Sequence, residues 1–318
     1  MKKLLTLLCV TTLLTGCDSD DSIMLENLSL SSNQTQMYYD SEMPALSLKI
    51  VPEGAPNQLE WTSSNPEVLA VDAKGKLTLK KFNYTTVTIT ATDQATKKTA
   101  SCQIVLAIKK ANISDYGIIA MKDKLGFDVL DRNIGASATY KKNGTDAEKQ
   151  AAIGEYYQWG NSIPTGTFSE VNTYYDKEAN GGDLDWSKPE NTPCPEGWRI
   201  PNMAEMKKLS DAAWVDWDGF IQTDEEFEAA KAIYNALLIA RGGYYKIDGA
   251  NKSDRDAAKP TLHLPGSGAF WSCELNKTAG SETSERGFKQ AYAMEDNSFV
   301  IMNKKTEVNR AMPIRCIK

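Results

Sequence analysis

Residues 59–79 read LEWTSSNPEVLAVDAKGKLTL, and this stretch decides the fold of the first part of the chain. Trp61 reads as a core anchor between Leu59 and a polar run. Asn65-Pro66 makes a turn, Val68 and Val71 point inward, and Asp72 to Gly75 makes a second tight turn whose glycine tolerates positive φ. Downstream, Thr86-Val87-Thr88-Ile89-Thr90-Ala91 places Val87, Ile89 and Ala91 on one face and three threonines on the other, as in a half-buried strand. Upstream, Leu46, Leu48 and Ile50 alternate in the same way, and Ile104 and Leu106 repeat the pattern later. Short strands parted by Gly, Pro, Asn and Asp predict an all-β sandwich over 28–108.

The ordered run W-x-S-S-N-P-x-V-x-x-V-D-x-x-G-x-L-T resembles the bacterial immunoglobulin-like group 2 domain. Such domains serve as spacers or adhesive modules in bacterial surface proteins, so the resemblance implies a stalk. Every residue of the motif has a structural job in a sandwich and none need bind a ligand. Cys102 falls in a strand near the end of this module and is expected to stay unpaired.

Further outward, toward the start, the chain reads MKKLLTLLCVTTLLTGC. A charged beginning, a short apolar run and small residues make 1–16 a signal peptide rather than a membrane span. Thr15-Gly16-Cys17 resembles the lipobox of bacterial lipoproteins, in which the cysteine carries lipid. Acyl chains contribute about 0.8 kcal/mol per buried methylene, so a multiply acylated Cys17 would anchor the chain stably. The Asp18-Ser19-Asp20-Asp21-Ser22 run is too polar to pack, which makes 17–27 a solvated tether. It also resembles the acidic export signal of Bacteroidota lipoproteins, implying an outer-membrane, surface-exposed location with the lipid as the membrane partner.

Removal of Lys2 and Lys3 makes a chain of net charge −6 more acidic still. No basic stripe remains to neutralise phosphates, which argues against a nucleic-acid partner. Beyond Cys9 and Cys17 the cysteines are Cys102, Cys194, Cys273 and Cys316, and in an oxidising compartment they allow three pairings that spacing does not choose between. The single histidine, His263, flanked by Leu262 and Leu264, reads as a strand residue. A histidine-rich metal site or a Ser-His-Asp triad therefore lacks raw material.

Lys109 to Asp115 reads as a linker, and the second module occupies 116–318. Two helices are legible there. Asn202 caps the first, with Glu205 completing a capping box and Met203, Met206 and Leu209 forming its apolar stripe. Thr223 and Glu226 open the second, whose buried face is Phe227, Ala230, Ile233, Tyr234, Leu237 and Leu238 and which ends at Gly242-Gly243 after Arg241. The stretches 174–185 and 248–259 read as loops.

Asp131-Arg132-Asn133-Ile134-Gly135, Gly154-Glu155-Tyr156-Tyr157-Gln158-Trp159-Gly160, Cys194-Pro195-Glu196-Gly197-Trp198-Arg199-Ile200-Pro201, Phe270-Trp271-Ser272-Cys273 and Ile314-Arg315-Cys316-Ile317 follow one another. In this order they resemble the Fibrobacter succinogenes major paralogous domain. Phe270 replaces a tyrosine of that pattern and Cys273 a serine. The resemblance implies an α+β, C-type-lectin-like domain, and it pairs Cys194 with Cys316, since both sit in motifs that the family supplies together.

Formylglycine-generating oxidases resemble this module in fold and in the R-x-P helix start, but they need two closely spaced cysteines. Cys273 and Cys316 are far apart in sequence. Asp183 with Asp185, or Asp216 with Asp218, read as solvated turn acids rather than a general acid and base or a calcium site. No catalytic residue, metal or cofactor is therefore expected. Trp186, Trp214 and Trp217 stand beside acids outside the motifs and are the candidate ligand-binding residues. The resulting expectation is a non-enzymatic surface lipoprotein, an adhesin or glycan- or protein-binding module on a stalk, with a structural part in a fimbria-like assembly as the alternative.

Overall fold

A computed structural model of the chain describes residues 24–213, 222–241, 243–249, 252–263, 268–296 and 301–318. Cys17, Trp214, Asp216, Trp217 and Asp218 lie outside the described residues. The chain divides into two compact units between Ala107 and Ile108.

The first unit is built of strands β1 (Asn27–Ser32), β2 (Gln36–Met37), β3 (Leu46–Val51), β4 (Leu59–Ser63), β5 (Leu69–Val71), β6 (Leu77–Leu79), β7 (Thr85–Asp93) and β8 (Thr99–Leu106). One sheet has the order β2-β8-β7-β4, with β2 parallel to β8. β1 pairs with β3, and β5 with β6. The alternation in β7 has the expected consequence, since Val87, Ile89 and Ala91 are each 0% exposed. Leu28 of β1, Leu48 and Ile50 of β3, Leu59 of β4 and Ala100 of β8 share one apolar cluster, which joins the two main sheets face to face.

Within the opening stretch the turns form as read. Val68 and Leu69 N–H donate to Asn65 O, and Gly75 N–H donates to Asp72 O at 3.0 Å with Gly75 at φ +79°. The Asp72 carboxylate accepts from the N–H groups of Lys74 and Lys76, which holds its pKa below the usual carboxylate value. Trp61 is only half-buried, lying over Gly75, where an added Cβ would come within 2.8 Å of the indole. The glycine therefore serves both the turn and the ring, and the tryptophan covers the edge of the core rather than filling its centre.

The second unit contains β9 (Ile118–Ile119), α1 (Lys122–Leu125), β10 (Val129–Leu130), α2 (Asp146–Ala151), β11 (Tyr157–Gln158), α3 (Met203–Ala212), α4 (Asp224–Ala236), β12 (Tyr244–Lys246), α5 (Lys252–Ala257), β13 (Thr261–His263), β14 (Gly268–Leu275), β15 (Gln290–Asp296), β16 (Ile301–Glu307) and β17 (Ala311–Met312). Its sheets have the orders β11-β17-β12-β13, β14-β15-β16 and β10-β9. Residues 109–115 are not a free connector. Ala111 N–H donates to Pro193 O, Lys110 Nζ reaches Thr192 O at 2.7 Å, and Asn112 caps the short turn Ile113–Asp115, so the segment is sewn onto the second unit. Within the expected loop 248–259, α5 forms instead.

Four tryptophans, Trp159, Trp186, Trp198 and Trp271, fill one core with Cys194 and Cys316. Each large ring removed from water stabilises by roughly 2–3 kcal/mol, provided its N–H finds a partner. Trp159 Nε1 donates to Ser272 O at 2.9 Å and Trp271 Nε1 to Tyr157 O at 2.7 Å, so two of the recognised motifs satisfy each other. The final segment is pinned on both sides. Arg199 and Ile317 exchange two backbone hydrogen bonds, Leu130 N–H donates to Cys316 O, and Cys194 is disulfide-bonded to Cys316.

Both expected capping boxes are present, at Asn202/Glu205 and at Thr223/Glu226. The second helix ends earlier than expected, at Ala236, and Leu238 takes φ +49°. The cause is Arg315, which is 2% exposed. Its guanidinium donates to Leu237 O at 2.9 Å, to Leu130 O at 3.0 Å, to Asn133 Oδ1 at 2.9 Å and to Leu238 O at 3.3 Å. Carbonyls at the end of a helix lack intrahelical donors, and a buried cation supplies them here.

Candidate functional site

The second unit carries a cleft of about 490 Å³ lined by Tyr140, Asp146, Lys149, Gln150, Ile153, Phe168 and Arg241. One wall is α2. The spacing of Asp146, Lys149 and Gln150, three and four residues apart, brings their side chains to one helix face. That short helix is held by a capping box in which the Thr145 hydroxyl and Glu148 N–H meet while Glu148 accepts from Thr145 N–H at 2.9 Å. The Thr145 N–H and the Lys141 ammonium together lower the Glu148 pKa to about 2, so the cap stays ionised at any ordinary pH.

Ile153, 3% exposed, belongs to the apolar cluster beneath the cleft with Tyr156 and Tyr245. Tyr140 and Phe168, both half-buried, pack on that cluster. Tyr245 donates its hydroxyl to Phe168 O at 2.8 Å and meets the Tyr156 ring edge-on at 5.1 Å, which fixes the loop carrying Phe168. Arg241 donates to Tyr234 Oη at 3.1 Å. The arrangement offers two aromatic surfaces beside a carboxylate, an amide, an ammonium and a guanidinium. That mixture suits a ligand presenting both C–H faces and hydroxyl or charged groups.

Of the candidate binding residues, Trp186 requires correction. It is 1% exposed, its indole N–H donates to Ser162 Oγ at 3.1 Å, and its ring centroid lies 5.7 Å from that of Trp159. It is a core residue and offers no surface to a ligand. Its acidic neighbour Asp185 is exposed and accepts from both the N–H and the hydroxyl of Ser187, so the acid closes a turn while the ring points inward. Trp214 and Trp217 lie outside the described residues. Asp183 is exposed, and among the described residues no hydrogen bond joins it to Asp185. Among the described residues no group of histidine, cysteine or acidic side chains is placed to hold a metal ion.

Cys316 is taken up by Cys194, and Cys273 is a buried free thiol whose pKa burial pushes up to about 12. Such a thiol stays protonated and unreactive at neutral pH. Cys102 is also free, half-buried in β8. Sequence reasoning missed Tyr140 and Phe168, which stand singly in segments without periodicity, and read Arg241 only as the last residue of a helix. A readable signal did exist for α2, the Thr145-Asp-Ala-Glu148 capping box.

Residues 27–104 match the family model of the bacterial Ig-like domain (group 2). A search of curated proteins returns no match to the chain. Among the described residues no helix is long and apolar enough to cross a membrane.

Proposed function

We propose that this chain is a non-enzymatic surface lipoprotein of the outer membrane, anchored through Cys17, in which the Ig-like unit is a stalk and the second unit is a lectin-like recognition head. The head, which resembles the Fibrobacter major paralogous domain, binds a surface glycan in the cleft between Tyr140 and Phe168. The observation that carries this reading is the cleft itself, where aromatic walls stand beside Asp146, Lys149, Gln150 and Arg241. Sugar rings stack their C–H faces on aromatic side chains while their hydroxyls exchange hydrogen bonds with acids, amides and guanidinium groups. Engagement of Cys316 in a disulfide and the burial of Cys273 weigh against a paired-cysteine oxidase.

The test is a glycan array with the purified chain, followed by titration of the best ligand against Tyr140→Ala and Gln150→Ala. At least a tenfold loss of affinity in both variants, with unchanged unfolding midpoints, is expected. Silence on the array, in pull-downs and in both variants overturns the recognition reading. Loss of a surface structure on gene deletion would then favour an assembly component.

A further inference from the structure

The core of the first unit is sealed along β7 and open along β3 and β4. Val87, Ile89 and Ala91 of β7 are fully buried. Trp61 stands opposite Ala91 in the β4–β7 ladder and so shares its inward face, yet it is only half-buried. Leu59, two residues before it, and Leu46 and Leu48 of β3 are half-buried as well. β3 is paired on one edge by β1 and β6 on one edge by β5, and the other edge of each carries no strand. Two adjoining cavities that share Leu46, Lys74 and Gly75 lie along these edges. One, of about 540 Å³, is lined by 43–46, leading into β3, and by 74–79, which include β6. The other, of about 420 Å³, continues past Leu48 to Leu59 and Trp61.

A free strand edge presents its N–H and C=O groups in a row and is a template for another strand. An extended peptide laid along it gains main-chain hydrogen bonds, and its alternate side chains reach the apolar floor. The charge of the rim selects among such peptides. Lys74, Lys76, Lys80 and Lys81 bracket β6, and all four are exposed. Among the described residues none of them makes an ion pair. Asp72, the acid of the same turn, directs its carboxylate to the N–H groups of Lys74 and Lys76, and no acid lines either cavity. A carboxylate brought by a ligand therefore meets several cations and no lining anion.

We propose that the groove between β3 and β6 docks an extended acidic segment of a partner protein, in which alternating apolar residues are flanked by carboxylates. The segment adds as a strand, its apolar side chains cover Leu46 and Trp61, and its carboxylates meet the lysines around β6. The groove lies wholly within the first unit and does not depend on the glycan reading. It gives the stalk a point of attachment of its own.

The experiment is calorimetric titration of the full chain with the decapeptides EEVTVTVTEE, KKVTVTVTKK and EEVTPTVTEE, the last carrying a proline that removes a main-chain donor. Saturable binding of the first is expected, at least tenfold tighter than of either other. Hydrogen exchange should slow in β3 and β6 when it binds, and stay unchanged in β7. Lys74→Glu combined with Lys76→Glu should leave the unfolding midpoint within a few degrees of the parent and shift the preference toward KKVTVTVTKK at least tenfold. Absence of saturable binding of EEVTVTVTEE, equal binding of the proline peptide, or a preference that the charge reversal leaves unchanged overturns the proposal. Self-association of the chain that competes with the peptide assigns the groove to a second copy. Binding that appears only once residues 18–23 are removed assigns it to the chain's own acidic run, and either result overturns the partner reading.

Discussion

At the scale of the residue, Trp186 shows what sequence context hides. Its neighbours Asp183 and Asp185 suggest a solvated loop, yet in an irregular segment consecutive side chains need not share an environment. Asp185 turns outward to Ser187 and Trp186 turns inward to Ser162. Replacing Trp186 with alanine is expected to cost about 3–5 kcal/mol in denaturant unfolding, as for other large buried aromatics. A change of only a few tenths would remove it from the core. Glu205 gives a second prediction. Burial alone would push its carboxyl pKa up, but the hydrogen bonds from Arg199, at 2.7 and 2.5 Å, and from Asn202 N–H win and hold it below the usual glutamate value. A depressed carboxylate contributes stability that is fully present above the unfolded pKa of about 4.3 and is lost as pH falls through the folded value. Stability measured between neutrality and acid should therefore fall less steeply in Glu205→Gln than in the parent chain. Parallel curves would show that the ion pair contributes nothing.

Among the elements, beginnings were legible and endings were not. A helix start is written locally, because an N-cap and the third helical residue lie within one turn. Asn202/Glu205 and Thr223/Glu226 could therefore be read directly. The end of α4 is set instead by Arg315, which reaches Leu237 and Leu238 from 78 and 77 residues away in sequence. Asn133 and Arg315, separated by 182 residues, were each visible inside a motif, but their contact was not. The cleft was illegible for the same reason, since Tyr140, Phe168 and Arg241 meet only once the loops between them are placed. Burial lowers the Arg315 pKa to about 10, so the group stays charged at neutral pH and its carbonyl partners depend on it. Arg315→Leu should orphan those carbonyls and destabilise the chain by at least about 3 kcal/mol. Hydrogen exchange should accelerate in the last turn of α4 more than in α3. Uniform acceleration across both helices would assign Arg315 a general packing role.

For the whole molecule, alternating threonine and valine up to residue 108 and aromatic pairs and glycine from Tyr116 onward point to two units, and the chain divides between Ala107 and Ile108. The boundary was blurred because Lys109 to Asp115 has the composition of a linker, while Lys110 and Ala111 are bonded to 192 and 193, contacts that local composition does not encode. The covalent chemistry is divided as well. The Cys194–Cys316 bond closes 122 residues of the second unit, whereas Cys102, in the first, is free. Closing a loop of that length stabilises by about 4–5 kcal/mol in the chain-entropy account. For a unit of this size each kcal/mol moves the midpoint by roughly 2–4 °C. Calorimetry in the presence and absence of a thiol reductant should consequently resolve two transitions of different character. The transition of the second unit should fall by roughly 10–20 °C on reduction, and Cys194→Ala with Cys316→Ala should reproduce that fall without reductant. The transition of the Ig-like unit should stay in place under both treatments, because its core is held by packed strand faces and its cysteine, Cys102, is free. A common shift of both transitions would mean that the units unfold as one, and no shift in either would mean that the tryptophan core, rather than the cross-link, carries the stability of the second.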